Sequence, residues 1–252
     1  MFGGAYYENG TLLQSAVMPT IALFDIDGTL LRAGGAGRRA VELAIEEVLD
    51  SPKGSVCLRS VEFAGRTDPW IVRAALTGRG VPVDDEVIAE VLRRYVLHLP
   101  EQLQVATAFE VLPSVLSMLS QLSDRDDVIL GLGTGNTEPA AYAKLARGGL
   151  DSFFSFGGFG SDHTDRAELL RVGLMRGLQR ARVERHDAEV VVIGDTPHDV
   201  AAAHAIGARC IAVTTGGFEP ESLQSAGACV VVSHLGDPEV WEAFEGSIGG
   251  RM

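Results

Sequence analysis

The sequence predicts an α/β fold, a doubly wound parallel sheet with a helical subdomain inserted into it. Three observations carry that expectation. Short apolar runs that stop at turn-forming or polar residues recur at 21–24, 128–132, 190–193, 210–213 and 229–232, as buried parallel strands do. Helical patterns lie between the later runs, at 115–122, 139–146, 167–180 and 200–206, the last closed by Gly207. Finally, roughly 80 residues, from 32 to 112, separate the first run from the next sheet strand, far more than a strand-to-helix loop needs.

Taken in order, the first strand ends at Phe24, where FDIDGTLLRAGGAGRRA begins and places Asp25 and Asp27 one residue apart. Two like charges at the end of a buried strand are costly unless a cation, a proton or a reaction accounts for them. The long interval that follows must hold structure of its own. It shows helical candidates at 38–49, 69–76 and 85–97, with Val41, Ala44, Ile45 and Val48, then Val87, Val91, Leu92 and Tyr95, at helical spacing. The division expected is a Rossmann-like core of residues 18–32 and 113–240, a helical insertion at 33–112, and terminal extensions at 1–17 and 241–252, the GSIGGRM end being a loose tail.

Composition narrows the function. A net charge of -13 argues against nucleic acid or an anionic membrane as partner, so an anionic ligand would need locally supplied positive charge. Cys57, Cys210 and Cys229 form no metal-binding or disulfide spacing and read as reduced thiols, mostly in the core of a cytoplasmic protein. The N-terminal stretch lacks a basic region followed by an apolar one, and no apolar run approaches the ~18 residues of a membrane span, so neither export nor insertion is expected.

Ligands of open parallel sheets bind beyond the carboxyl ends of the strands. After the first strand come Asp25 and Asp27; after the second, Thr134, Gly135 and Asn136; after the third, Gly194, Asp195 and then Asp199. A hard divalent cation with oxygen ligands explains these carboxylates better than packing does. The Thr134 hydroxyl and the N–H groups of Gly135 and Asn136 suit an anion, although Asn136 or Thr137 equally suits the N-cap of the helix near Pro139.

With these motifs assembled, the chain resembles the haloacid dehalogenase superfamily of phosphohydrolases, in its phosphoglycolate phosphatase-like branch. The resemblance rests on FDIDGTL at 24–30, LGTGN at 132–136, SDHTDRAELL at 161–170, IGDTPHDV at 193–200, and the insertion, which is similar to that family's mobile cap. It implies that Asp25 is the nucleophile that forms an aspartyl-phosphate and that Asp27 is general acid and base. It further implies Mg²⁺ held by Asp25, the Asp27 carbonyl and Asp195, with Asp199 acting directly or through water. The substrate implied is a small phosphorylated metabolite such as phosphoglycolate.

The family's cation before the Gly-Asp motif matches Arg166, whose task must be electrostatic because a guanidinium donates no proton. The Lys-Pro context usual there is absent. Arg171 and Lys144 are the substitutes, and Lys144, three residues before Arg147, is expected to face solvent. AGRTDPW at 64–70 resembles the cap loop that reaches the active site, with Gly65 for a tight turn, Thr67 as a helix cap, and Arg66 as either substrate anchor or surface charge. His163 and His198 have no partner at metal-ligand spacing. The alternatives are a β-phosphoglucomutase-type transfer, against which Thr29 after Asp-Gly leans, and a non-catalytic phosphate- or metal-binding module.

Overall fold

The computed structural model describes residues 6–8, 11–13 and 18–244. In chain order the strands are β1 (Tyr6–Glu8), β2 (Thr11–Leu13), β3 (Thr20–Phe24), β4 (Leu31–Ala33), β5 (Phe109–Val111), β6 (Val128–Thr134), β7 (Gly157–Phe159), β8 (Glu189–Gly194), β9 (Arg209–Val213) and β10 (Val230–Val232). The helices are α1 (Ala36–Val48), α2 (Asp68–Gly78), α3 (Asp85–Val105), α4 (Val115–Ser123), α5 (Glu138–Gly148), α6 (Arg166–Ala181), α7 (Pro197–Ala205), α8 (Pro220–Ser225) and α9 (Pro238–Phe244). No helix among the described residues is long and apolar enough to cross a membrane.

The core is a six-stranded sheet in the order β10-β9-β8-β3-β6-β7, parallel throughout. The expected α/β, doubly wound architecture is therefore present. Strand alternation builds two apolar layers. Ile21, Leu23, Val190 and Val192 pack with α6, α7 and α8 on one face. Ala22, Phe24, Leu130, Leu132, Val191 and Ile193 pack on the other with α4, α5 and α9. That second layer is continuous with the interior of the helical insertion, where Val41, Ile45, Leu76 and Tyr95 are buried. Burying both faces explains why the strands read as unbroken apolar runs.

Between β4 and β5, which pair antiparallel with Leu31 opposite Val111, the chain forms α1, α2 and α3. The expected end of α3 near residue 97 is too early, because the helix runs on through Pro100. An interior proline removes a backbone donor and crowds the preceding turn. Burial of Leu99 and Leu103 offsets that cost.

One strand of the core sheet was missed, and other expectations need correction or placement. β7 escaped the sequence reading because Gly-Gly-Phe has no apolar run to reveal it. Only Cys210 is buried, Cys57 and Cys229 being exposed, so the thiols are not mostly core. Ordered chain continues past residue 240, since α9 buries Val240, Ala243 and Phe244. Of the N-terminal extension, β1 and β2 form an antiparallel ribbon, and the GSIGGRM tail lies outside the described residues.

Candidate active site

Register brings the strand ends together. Phe24 lies opposite Leu132 on one side and Ile193 on the other, so β3, β6 and β8 finish almost level. The Asp25 N–H donates to the Ile193 carbonyl at 2.9 Å and carries the alignment one residue past the strand. The switch point lies here too, because the chain builds outward through β6 and β7 before returning to place β8 on the opposite side of β3. A cavity of about 520 Å³ opens over these ends, and Asp25, Asp27, Thr134, Gly135, Asn136, Arg166 and Asp195 all line it.

Asp25, Asp195 and Asp199 are buried, and each offers an oxygen within 4.8 Å of the others. Arg166, also buried, reaches two of them: its Nη2 is 3.0 Å from Asp25 Oδ1 and 2.5 Å from Asp199 Oδ1, and its Nε donates to Asp199 Oδ1 at 2.7 Å. The sequence match at Arg166 thus lands among the acids, whereas Arg171 is exposed and pairs with Glu168. Burial desolvates the guanidinium, but the Asp199 and Asp25 carboxylates outweigh that and hold it more firmly charged than usual.

One guanidinium against three carboxylates leaves an uncompensated negative charge. Its effect is visible in the acids. Burial, partly opposed by Arg166 and reinforced by Asp199 and Asp27, pushes Asp25 up to about 6. Burial followed by repulsion from Asp25 and Asp199 raises Asp195 well above the ordinary carboxylate range. Thr29, 1% exposed, donates its hydroxyl to Asp195 Oδ1 at 3.0 Å. Gly28, at φ +88, leaves room beside the same carboxylate, since a Cβ there would stand 2.5 Å from Asp195 Oδ2. A cluster of hard oxygens short of positive charge fits a divalent cation. Asp199 is the most occupied of the three, because its Oδ2 accepts from the Thr196 N–H and hydroxyl in the capping box of α7.

Asp27 stands at the cavity edge, and the structure corrects the sequence at its partner. Lys144 is 5% exposed and does not face solvent. Its Nζ donates to Asp27 Oδ2 at 2.5 Å and to Asn136 Oδ1 at 2.6 Å. The signal was present in the sequence, because Lys144 shares the buried face of α5 with Ala140, Ala141 and Leu145. Asn136 is not the helix cap, a position that falls to Thr137 without a side-chain bond. The Asn136 amide instead donates to Asp27 Oδ2 at 2.9 Å and Thr134 Oγ1 at 2.8 Å.

The 64–70 segment, a loop that enters α2 at Asp68, lines the cavity with Ala64, Gly65, Arg66 and Asp68. Gly65, at φ +68, makes the tight turn expected of it. Thr67 occupies the N-cap of α2 but makes no capping bond; its hydroxyl donates to the Thr164 carbonyl at 3.3 Å. Arg66 lines the cavity wall, with its guanidinium bonded to Glu62 Oε2 at 2.9 and 2.7 Å and stacked 4.4 Å from the Trp70 ring centroid. His198 is half-buried beneath this loop and His163 accepts from the Asp165 N–H. Neither histidine belongs to the acidic cluster.

Asp68 was missed. Its N–H donates to the Gly135 carbonyl at 2.8 Å and its Oδ2 accepts from the Thr137 N–H at 2.7 Å, fastening α2 to the loop after β6. Burial, opposed by Lys144 and by the Thr137 N–H, raises its carboxyl to about 6 from 3.8. The native state therefore binds the extra proton between those values. This contribution to stability is complete below pH 3.8 and is lost as pH rises through about 6. Asp68→Asn keeps an acceptor for Thr137 and does not titrate, so it is expected to gain about 2 kcal/mol on the wild type between about pH 4.5 and about pH 7.5. Urea unfolding of both proteins at the two pH values measures this, and a pH-independent difference contradicts it.

Comparison with known proteins gives the same direction. A phosphoglycolate phosphatase of Rhodospirillum rubrum is 28% identical over 239 residues, covering 93% of this chain and 95% of its own. Phosphoglycolate phosphatase 1 of Pseudomonas aeruginosa is 26% identical over 220 residues, covering 87% and 78%. The crystal structure of a hydrolase from Pseudomonas syringae shares the fold with a TM-score of 0.62 at 20% identity, covering 92% of this chain and 100% of that one. Residues 19–207, which hold every strand-end acid described above, match the haloacid dehalogenase-like hydrolase family, and the chain belongs to it.

Proposed function

We propose that the protein is a magnesium-dependent phosphatase that hydrolyses small phosphomonoesters, phosphoglycolate among them, through an aspartyl-phosphate on Asp25. The observation that carries this reading is the buried Asp25 carboxylate at the level ends of β3, β6 and β8, with Arg166, Asp195 and Asp199 around it. The phosphatase relatives support the reaction class. The reduced thiols and the absence of a membrane-spanning helix among the described residues fit a cytoplasmic setting.

In the first half-reaction an Asp25 oxygen attacks phosphorus, the ester bond to the alcohol breaks, and Asp27 gives the departing oxygen its proton. Arg166 holds the nucleophile and offers charge to the phosphoryl oxygens, and the Thr134 hydroxyl and the Gly135 N–H supply neutral donors. In the second half, Asp27 takes a proton from water, the hydroxide attacks phosphorus, and the Asp25 carboxylate and phosphate are released. Asp25, the Asp27 carbonyl and Asp195 would hold the divalent cation, with Asp199 reached through water because its oxygens serve Arg166 and Thr196. Bound there, the ion supplies the positive charge that lets a carboxylate approach a phosphate dianion. The insertion acts as a cap, with the 64–70 loop excluding bulky substrates.

Phosphate release from a panel of small phosphomonoesters, with magnesium and with chelator, tests the reading. Turnover of small esters only when magnesium is present is expected, and no release from any ester contradicts it. Arg66 is proposed as the anchor for the substrate's distal anion, which requires it to exchange Glu62 for substrate. Arg66→Ala is accordingly expected to raise KM for phosphoglycolate by roughly three- to tenfold, with nitrophenyl phosphate unchanged. Equal losses on both would make Arg66 a support of the loop.

A further inference from the structure

We infer that Lys144 is a positioning residue for Asp27, pinning one carboxylate oxygen so that the other faces the reacting ester. The inference deepens the reading above and rests on Asp27 being the acid and base of that reaction.

Three hydrogen bonds tie Lys144, Asp27 and Asn136 to one another. Its Nζ donates to Asp27 Oδ2 and Asn136 Oδ1, and the Asn136 amide donates to the same Asp27 Oδ2. Two donors thus occupy Oδ2, whereas no described group is hydrogen-bonded to Oδ1. The Asp27 side chain is 43% exposed toward the cavity, against 6% for Lys144. A carboxylate held at one oxygen from two directions loses rotation about its terminal torsion, which is otherwise broad. The free oxygen is then fixed at the cavity edge. Charge-assisted contacts of this length are the strong kind, and a chain that buries an ammonium must gain something from its place.

The surroundings of Lys144 hold it there. α5 presents it from the core, and α3 packs against α5. Gly37 in the first turn of α1 faces it closely, since a Cβ added at that glycine would lie 3.7 Å from Nζ and 3.8 Å from the Tyr95 hydroxyl. Asp68 adds a second negative group on the insertion side. Lys144 therefore joins the loop after β3 to the loop after β6 at one nitrogen, beside the helical insertion. Arg166, which serves Asp25 and Asp199, makes no contact with Asp27. The site divides its two buried cations between its two catalytic aspartates.

Leaving-group dependence separates positioning from charge in general. An alkyl ester needs its oxygen protonated on departure, whereas nitrophenolate leaves without help. Lys144→Met is expected to lower kcat/KM for an alkyl phosphate by about 100-fold or more and for nitrophenyl phosphate by less than about fivefold, KM for the alkyl ester not rising. Because the second half-reaction also uses Asp27, nitrophenyl phosphate should give a burst of nitrophenolate followed by slow turnover, with phosphorylated protein accumulating. In an Asp27→Asn background, Lys144→Met should cost less than about twofold more, since it acts only through that carboxylate. Thermal unfolding accompanies each variant. Should Lys144→Met not fold, Lys144→Met/Asp68→Asn removes the charge imbalance while keeping the acceptor for Thr137, and its comparison is made against Asp68→Asn. Equal losses on both esters, a rise confined to KM, or full additivity with Asp27→Asn overturns the positioning role and leaves the phosphatase reading intact. Absence of turnover in the wild type overturns both.

Discussion

Asp25→Asn is expected to remove phosphatase turnover, by a factor on the order of 10⁵ or more, without unfolding the protein. The amide has the shape of the carboxylate but is not an anionic nucleophile, and the two other buried strand-end acids are engaged: Asp195 is held by Thr29, and Asp199 by Arg166 and Thr196. Stability should move the other way. Burial raises Asp25 to about 6, so at neutral pH its ionised form weakens the metal-free fold. The variant in chelator is expected to melt no lower than the wild type. A steady-state assay paired with a thermal melt reads both, and residual turnover within about tenfold of wild type would falsify the nucleophile assignment.

The second large effect concerns the metal. Exhaustive chelation is expected to abolish turnover, and added magnesium to restore it, because buried carboxylates cannot share the cavity with a phosphate dianion unless charge is offset. The sheet and its two apolar layers do not depend on the ion, so the chelated protein should still unfold cooperatively. At a magnesium concentration about ten times its dissociation constant, the wild-type Tm should rise by roughly 3–6 °C. Asp195→Asn should lose most of that rise. Full activity after chelation, or an equal rise in the variant, contradicts the assignment.

The strand-end acids were legible because two signals coincide there, an apolar run long enough to be a buried strand and polar residues that immediately follow it. β3, β6 and β8 satisfy both, and their level register then does in space what the sequence can only list. Lys144 failed for the opposite reason. Arg147, one turn on in the last turn of α5, suggests a solvated face, yet Ala140 and Ala141, one turn back, are buried, as is the adjacent Leu145. A charge on an apolar face is resolved only by what another strand or helix brings to it, here Asp27 from 117 residues away. Arg66 shows the same limit locally. Glu62 and Trp70 lie four residues to either side, but the helical rule for such pairs could not be applied to Glu62, which lies in the loop before α2. Asp68 was hidden as an ordinary acid in a first helical turn until its contact with Thr137 gave it a tertiary role.

Acid quench during turnover of a small phosphomonoester, followed by mass spectrometry of the digested protein, tests the central claim most directly. The account predicts a hydroxylamine-sensitive phosphoryl group on the peptide that contains Asp25, longer-lived in Lys144→Met and absent in Asp25→Asn. A phosphoryl group on a histidine or serine, or continued turnover in Asp25→Asn with no phosphorylated protein at any quench time, would contradict it.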